Sequence, residues 1–164
     1  MRALKVWQIS AVAVAAALVI APMGGATFAQ TPDPVIGKWN LNVAKSKYSP
    51  GPAPKSAMAT VSAAGEGVKL VFDGVTGTGE KVHWEYTANY DGKDYPMTGN
   101  ADGDMISLKR INANSAETTY KKGGKVTLVN TRTVSADGKT LTVTTKGTNA
   151  QGQAVDNLLI FEKA

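Results

Sequence analysis

"KVHWEYTANYDGK", residues 81–93, alternates strictly: Val82, Trp84, Tyr86, Ala88 and Tyr90 take every second position, with His83, Glu85, Thr87 and Asn89 between them. A two-residue period belongs to a β-strand with one dry face, because successive side chains point to opposite sides of the pleat. Asp91-Gly92 then closes the run with a dipeptide suited to the positive φ angles of a tight hairpin. The stretch predicts a half-buried strand with an aromatic inner face, followed by a reversal of the chain.

The pattern recurs on both sides. Val68, Leu70 and Phe72 alternate with Lys69, Val71 and Asp73, and Leu141, Val143 and Thr145 alternate with Thr140, Thr142 and Thr144. Upstream, Val35, Gly37, Trp39, Leu41 and Val43 alternate with Ile36, Lys38, Asn40 and Asn42, which turns Trp39 inward. Turn signals separate the runs, among them Gly65-Glu66-Gly67, Gly77-Thr78-Gly79, Asp102-Gly103, Gly123-Gly124 and Asp137-Gly138. Residues 56–64 hold the alanines of a helix but also Thr60 and Val61, and no segment beyond residue 30 shows a helical period. The count is about nine strands plus a short candidate over residues 94–97.

A succession of hairpins, each strand with one apolar face, hides that face by rolling up or by folding over into a sandwich. Short sequential connections favour rolling up, and closure removes the edge strands that invite aggregation. The expected fold is therefore all-β, a single antiparallel up-and-down β-barrel of about 8–10 strands. A membrane-spanning barrel fits poorly, since Lys69, Asp73, Glu85 and Lys109 would face lipid.

The first residues read differently. Arg2 and Lys5 precede an uncharged apolar run over residues 11–21, and Thr27 and Ala29 stand where a signal peptidase reads. The run is shorter than the ~20 residues of a spanning helix. Residues 1–29 are thus expected to be a cleaved signal peptide and residues 30–164 one β-barrel domain, periplasmic or secreted, with no membrane span after cleavage and a monomeric state. The net charge of +5 includes Arg2 and Lys5 of the leader; the remainder is dispersed, unlike the clustered footprint of a nucleic-acid binder. The absence of cysteine excludes disulfides, thiolate metal sites and cysteine nucleophiles.

Gly37-Lys38-Trp39 on the first strand resembles the Gly-x-Trp opening of the calycins, which include the lipocalins and the intracellular fatty-acid-binding proteins. The wider stretch over residues 37–56, with His83-Trp84-Glu85-Tyr86 and Tyr90-Asp91-Gly92-Lys93, resembles a group of uncharacterised exported bacterial proteins, and that likeness brings no activity with it. The calycin resemblance implies a lipocalin-like barrel and a late arginine covering the first-strand tryptophan. Residues 154–162 hold no arginine, which leaves Arg132 as the late candidate.

A barrel of this size holds one small ligand among its interior side chains. Trp84, Tyr86 and Tyr90 share a face and offer an aromatic wall with hydroxyl handles, or simply core. Arg110 follows Ile106 and Leu108 at alternate positions, and Arg132 shares a face with Val126, Leu128 and Val134. An arginine on an apolar strand face needs a partner, so each is a candidate clamp for a ligand carboxylate. The alternative is a strand-end arginine that reaches water or pairs with an acid such as Glu117. Interior arginines of fatty-acid-binding proteins work with a tyrosine, and that resemblance implies the role for Tyr120.

His83, the single histidine, alternates with Trp84 and so faces outward, away from any haem inside the barrel. Asp91, Asp94, Asn100, Asp102 and Asp104 lack the spacing of a calcium loop and read as turn residues. No catalytic triad, metal site or cofactor is called for. Residues 45–55, with Lys45, Lys47 and Lys55 and three prolines, read as a stiff polar loop, either a lid attracting anionic ligands or a plain connector. The expected function is non-catalytic binding of a small hydrophobic or amphipathic molecule. The alternative is a structural or interaction module of the cell envelope with a packed interior.

Overall fold

Alternation becomes ten antiparallel strands: β1 (Gly37–Leu41), β2 (Ser56–Ala64), β3 (Gly67–Val75), β4 (Lys81–Asn89), β5 (Tyr95–Thr98), β6 (Met105–Asn112), β7 (Ser115–Lys122), β8 (Lys125–Val134), β9 (Thr140–Thr148) and β10 (Ala154–Lys163). They belong to a computed structural model that describes residues 32–164; the expected signal peptide and its cut after Ala29 lie outside the described residues. The sheet closes in the order β1-β10-β9-β8-β7-β6-β5-β4-β3-β2, an up-and-down barrel in which β1 joins β10. The short strand expected near residues 94–97 is β5, and the alanine-rich segment is β2, a strand rather than a helix.

The inner face is the one the alternation marks. Trp39, Ile106, Leu108 and Val68 are fully buried, and Ala59, Val61, Tyr86, Tyr120 and Phe161 join them in one core. The outer face carries ion pairs, Lys69 with Glu85 at 2.9 Å and Lys146 with Asp156 at 3.0 Å, and the pair of His83 Nδ1 with Asp73 at 2.7 Å. A lipid-facing surface would present an apolar band in their place.

Val126 departs from its expected face. It is 58% exposed, because Tyr120 pairs with Leu128 but Lys121 pairs with Val126, so Thr127 is an extra residue in β8 and the alternation reverses beyond it. Thr127 Oγ1 donates to the Asp102 carbonyl at 2.6 Å, tying the bulge to the β5–β6 loop. Across from it, a Cβ on Gly147 would lie 2.0 Å from the Thr127 carbonyl oxygen, and Gly147 has φ +143°, so only glycine lets β9 approach β8 here.

The first half of the proline-rich arm runs along the barrel wall, and Pro52 and Ala53 then lie against Gly77 in the β3–β4 turn. The arm's first residues form a 3₁₀ turn over Val43–Lys45, capped by the Asn42 side chain accepting from the Lys45 amide. Lys47 and Leu158 then exchange backbone hydrogen bonds of 2.7 and 3.0 Å, and Asp156 donates to the Ser49 carbonyl at 2.8 Å. The arm thereby takes over the edge of β10 that the short β1 leaves unpaired. Lys45 is held to Glu162 at 2.8 Å on the same wall.

The lead segment closes the end of the barrel near the start of β1. Val35 is buried, and the Trp39 indole Nε1 donates to its carbonyl at 2.7 Å. The cation over the Trp39 ring is Lys163, with Nζ 5.2 Å from the ring centre, and not Arg132. Replacing Trp39 by alanine is expected to cost about 3–5 kcal/mol of folding stability, read as a lower midpoint in urea, because a large side chain at zero exposure leaves a cavity that its neighbours cannot fill.

Candidate ligand cavity

The interior is not packed solid. It holds a cavity of about 190 Å³ whose walls include Phe72, Trp84, Tyr86, Tyr120, Asn130 and Arg132. Four of the six ligand-binding residues expected from the sequence, Trp84, Tyr86, Tyr120 and Arg132, line it; Tyr90 and Arg110 do not and sit at its closed end.

Strand register builds the aromatic wall. Phe72 and Trp84 are direct cross-strand partners, so their rings stack at 4.7 Å with planes 15° apart, and Tyr86, two residues along β4, continues the stack at 6.2 Å and 17°. Tyr120 meets Trp84 edge-on at 6.4 Å. These are the arrangements that ring quadrupoles favour. Burial pushes the Tyr86 and Tyr120 hydroxyls above their ordinary pKa, so both remain neutral hydrogen-bonding groups.

Asp33, from the lead segment, organises the closed end. Its Oδ2 accepts from the Tyr90 hydroxyl at 2.6 Å and from Arg110 Nη2 at 2.7 Å, and its Oδ1 accepts from the Val35 amide at 3.1 Å. The Arg110 guanidinium also lies over Tyr90, with Cζ 3.7 Å from the ring centre. Burial alone would raise the Asp33 pKa, but the hydrogen bonds from Arg110, Tyr90 and the Val35 amide outweigh it and hold the carboxyl below its ordinary 3.8. The acid that answers Arg110 is therefore Asp33; Glu117 lies on the outer face, opposite Lys109.

Arg132 is placed differently. It is 7% exposed, so it does not reach water from its strand end. Its Nη2 donates to the Tyr90 hydroxyl, and it faces the Tyr86 hydroxyl as well. Among the described residues no carboxylate lies within ion-pair distance of it. Its nearest carboxylate, Asp33, is reached only through the Tyr90 hydroxyl and is already paired with Arg110, so two guanidiniums share one acid, an arrangement that a further anion would relieve.

Next to it on the same face of β8 stands Asn130. Its Nδ2 donates to the Tyr120 hydroxyl at 3.1 Å, while its Oδ1 is buried with no partner. Asn130, Phe72 and Asp33 were not among the residues that the sequence singled out. Sharing a face with Arg132, two residues along β8, is the signal that would have found Asn130. Phe72 needed the β3–β4 register, and nothing in a proline-flanked lead marks Asp33.

His83 points outward, as its alternation with Trp84 requires. Asp91 and Asn100 serve turns, accepting from the Lys93 and Asp102 amides, and Asp102 accepts from the Ala150 amide. Among the described residues no cluster of three histidine or acidic side chains could hold a metal ion.

No protein-family model matches the chain, and no curated protein matches its sequence. Among solved structures it is similar to the zebrafish ileal bile acid-binding protein complexed with cholic acid, with a TM-score of 0.50 and 16% identity over 80% of this chain and 99% of that one. It is also similar to the siderocalin Ex-FABP, described as functioning through dual ligand specificities, with a TM-score of 0.39 and 12% identity over 80% of this chain and 71% of that one. The first likeness is one of fold, a closed ten-stranded antiparallel barrel.

Because the folded-state pKa of Asp33 is depressed, its contribution to stability is present above the ordinary carboxylate range and is lost as pH falls through it. Asp33→Asn is expected to cost about 1–3 kcal/mol at pH 7. The gap to the unmodified protein should shrink steadily below about pH 4, checked by urea unfolding across pH 2–7.

Proposed function

We propose that this protein is an exported, non-catalytic carrier that encloses one small, partly apolar anion in its barrel. The observation that carries the proposal is Arg132: a guanidinium 7% exposed, on the wall of an otherwise largely apolar cavity, with no carboxylate partner among the described residues. Arg110, by contrast, already has Asp33. A ligand carboxylate at Arg132 would supply the missing charge in a setting where charge-assisted hydrogen bonds are strong. Tyr86 and Tyr90 would flank it, and the stacked Phe72, Trp84 and Tyr86 rings would take the apolar part. The proposed export, to the periplasm or the medium, rests on the signal peptide expected over residues 1–29. The fold likeness to a protein complexed with cholic acid supports a barrel interior used for binding. A packed envelope module fits less well, because such a module has no need of a cavity.

Native mass spectrometry of the protein taken from its own cells tests this, and is expected to find a bound small acid. Arg132→Leu should come out empty, yet its stability should be unchanged or higher by up to about 4 kcal/mol, since replacing an uncompensated buried charge by a hydrocarbon relieves a cost of desolvation. An empty unmodified protein, or a variant that loads equally well, would overturn the carrier.

A further inference from the structure

We propose that the ligand is a single-ring aromatic carboxylate bearing a hydroxyl, rather than a long-chain or sterol acid. This inference rests on the carrier reading above and adds three observations that Arg132 does not supply.

The first is size. An apolar cavity of ~150 Å³ takes a molecule such as benzene. About 190 Å³ is then room for one ring with its substituents, and it falls below the roughly 300–1,000 Å³ of pockets that enclose larger organic ligands. A sixteen-carbon chain or a fused sterol exceeds that volume and would have to protrude from it or displace core side chains, which a core at native density resists.

The second is the shape of the wall. Phe72, Trp84 and Tyr86 form a nearly parallel stack, with interplanar angles of 15° and 17°. A flat ring lies against such a surface with full contact, whereas a flexible chain would have to be ordered bond by bond.

The third is an unanswered hydrogen-bonding pair. Asn130 Oδ1 is buried without a partner, and the Tyr120 hydroxyl beside it accepts from Asn130 Nδ2 but donates to no protein atom among the described residues. One free acceptor next to one free donor matches a hydroxyl, which both donates and accepts. The match survives a flip of the amide, since that exchanges the two roles and keeps one of each. Asn130 and Arg132 are two residues apart on β8, so their Cα atoms lie roughly 6.6 Å apart along the strand. A benzene ring spans a comparable distance between a carboxylate and the hydroxyl across from it.

The test uses isothermal titration and native mass spectrometry of the purified, delipidated protein with four probes: 4-hydroxybenzoate, benzoate, palmitate and cholate. The expected result is that 4-hydroxybenzoate binds, benzoate binds about tenfold or more weakly because the Asn130–Tyr120 pair stays unmet, and palmitate and cholate do not bind. In Asn130→Leu the preference for 4-hydroxybenzoate over benzoate should vanish while benzoate is still taken up, which also shows that the variant is folded. If palmitate or cholate binds as well as 4-hydroxybenzoate, the single-ring class is overturned and the carrier stands. If benzoate matches 4-hydroxybenzoate in the unmodified protein, the hydroxyl is overturned. If none of the four binds and the protein from its own cells is empty, the carrier reading fails and this inference with it.

Discussion

One carboxylate holds the closed end of the barrel together. Asp33 joins the lead segment to the Tyr90 hydroxyl, just beyond β4, and to Arg110 on β6. That contact seats Val35 over the interior and gives the Trp39 indole its acceptor. Buried Val35 and the Asp33 cluster thus cover the interior at this end, beside the cavity walls.

The two interior arginines show how the same residue type reaches different outcomes two strands apart. Arg110 lies over Tyr90 and is neutralised from within by Asp33. Arg132 shares Tyr90 as a neighbour but receives only hydroxyl oxygens. Natural proteins seldom keep a buried cation in that state for stability's sake, since a hydrocarbon of similar size would serve folding better. The asymmetry between the two guanidiniums is the strongest sign that the interior is shaped for a guest, and the orphaned oxygen of Asn130 beside Arg132 points the same way.

Much of this was legible in the residues. Alternation through Trp84, Tyr86 and Ala88 fixed which face is dry, and the Gly- and Asp-rich breaks fixed where the chain reverses, so the barrel and even the short β5 could be read before any coordinates. Arg132 and Trp84 could be placed inside for the same reason. What could not be read is whatever depends on register or on contacts distant in sequence. The stack of Phe72 on Trp84 needs the β3–β4 pairing, and the displacement of Val126 to the surface comes from one inserted residue that parity alone cannot reveal. Asp33 and Lys163 act from the two ends of the described chain on residues far away along it. The arm at residues 45–55 could be read as a lid or as a connector because prolines and lysines describe an exposed stiff segment equally well wherever it lies; the backbone bonds of Lys47 and Ser49 put its first part on β10.

The way the sheet closes also sets the order in which it can be built. Every strand pairing but one joins neighbours along the chain, and the exception, β1 with β10, joins the beginning to the end. Hairpins can zip up locally, but the first strand must wait, its outer edge bare, until the last one is in place. The seam is consequently the final piece of the architecture to form, and the backbone rungs that Lys47 and Ser49 add to it lengthen the stitch where the first strand is too short to hold it alone.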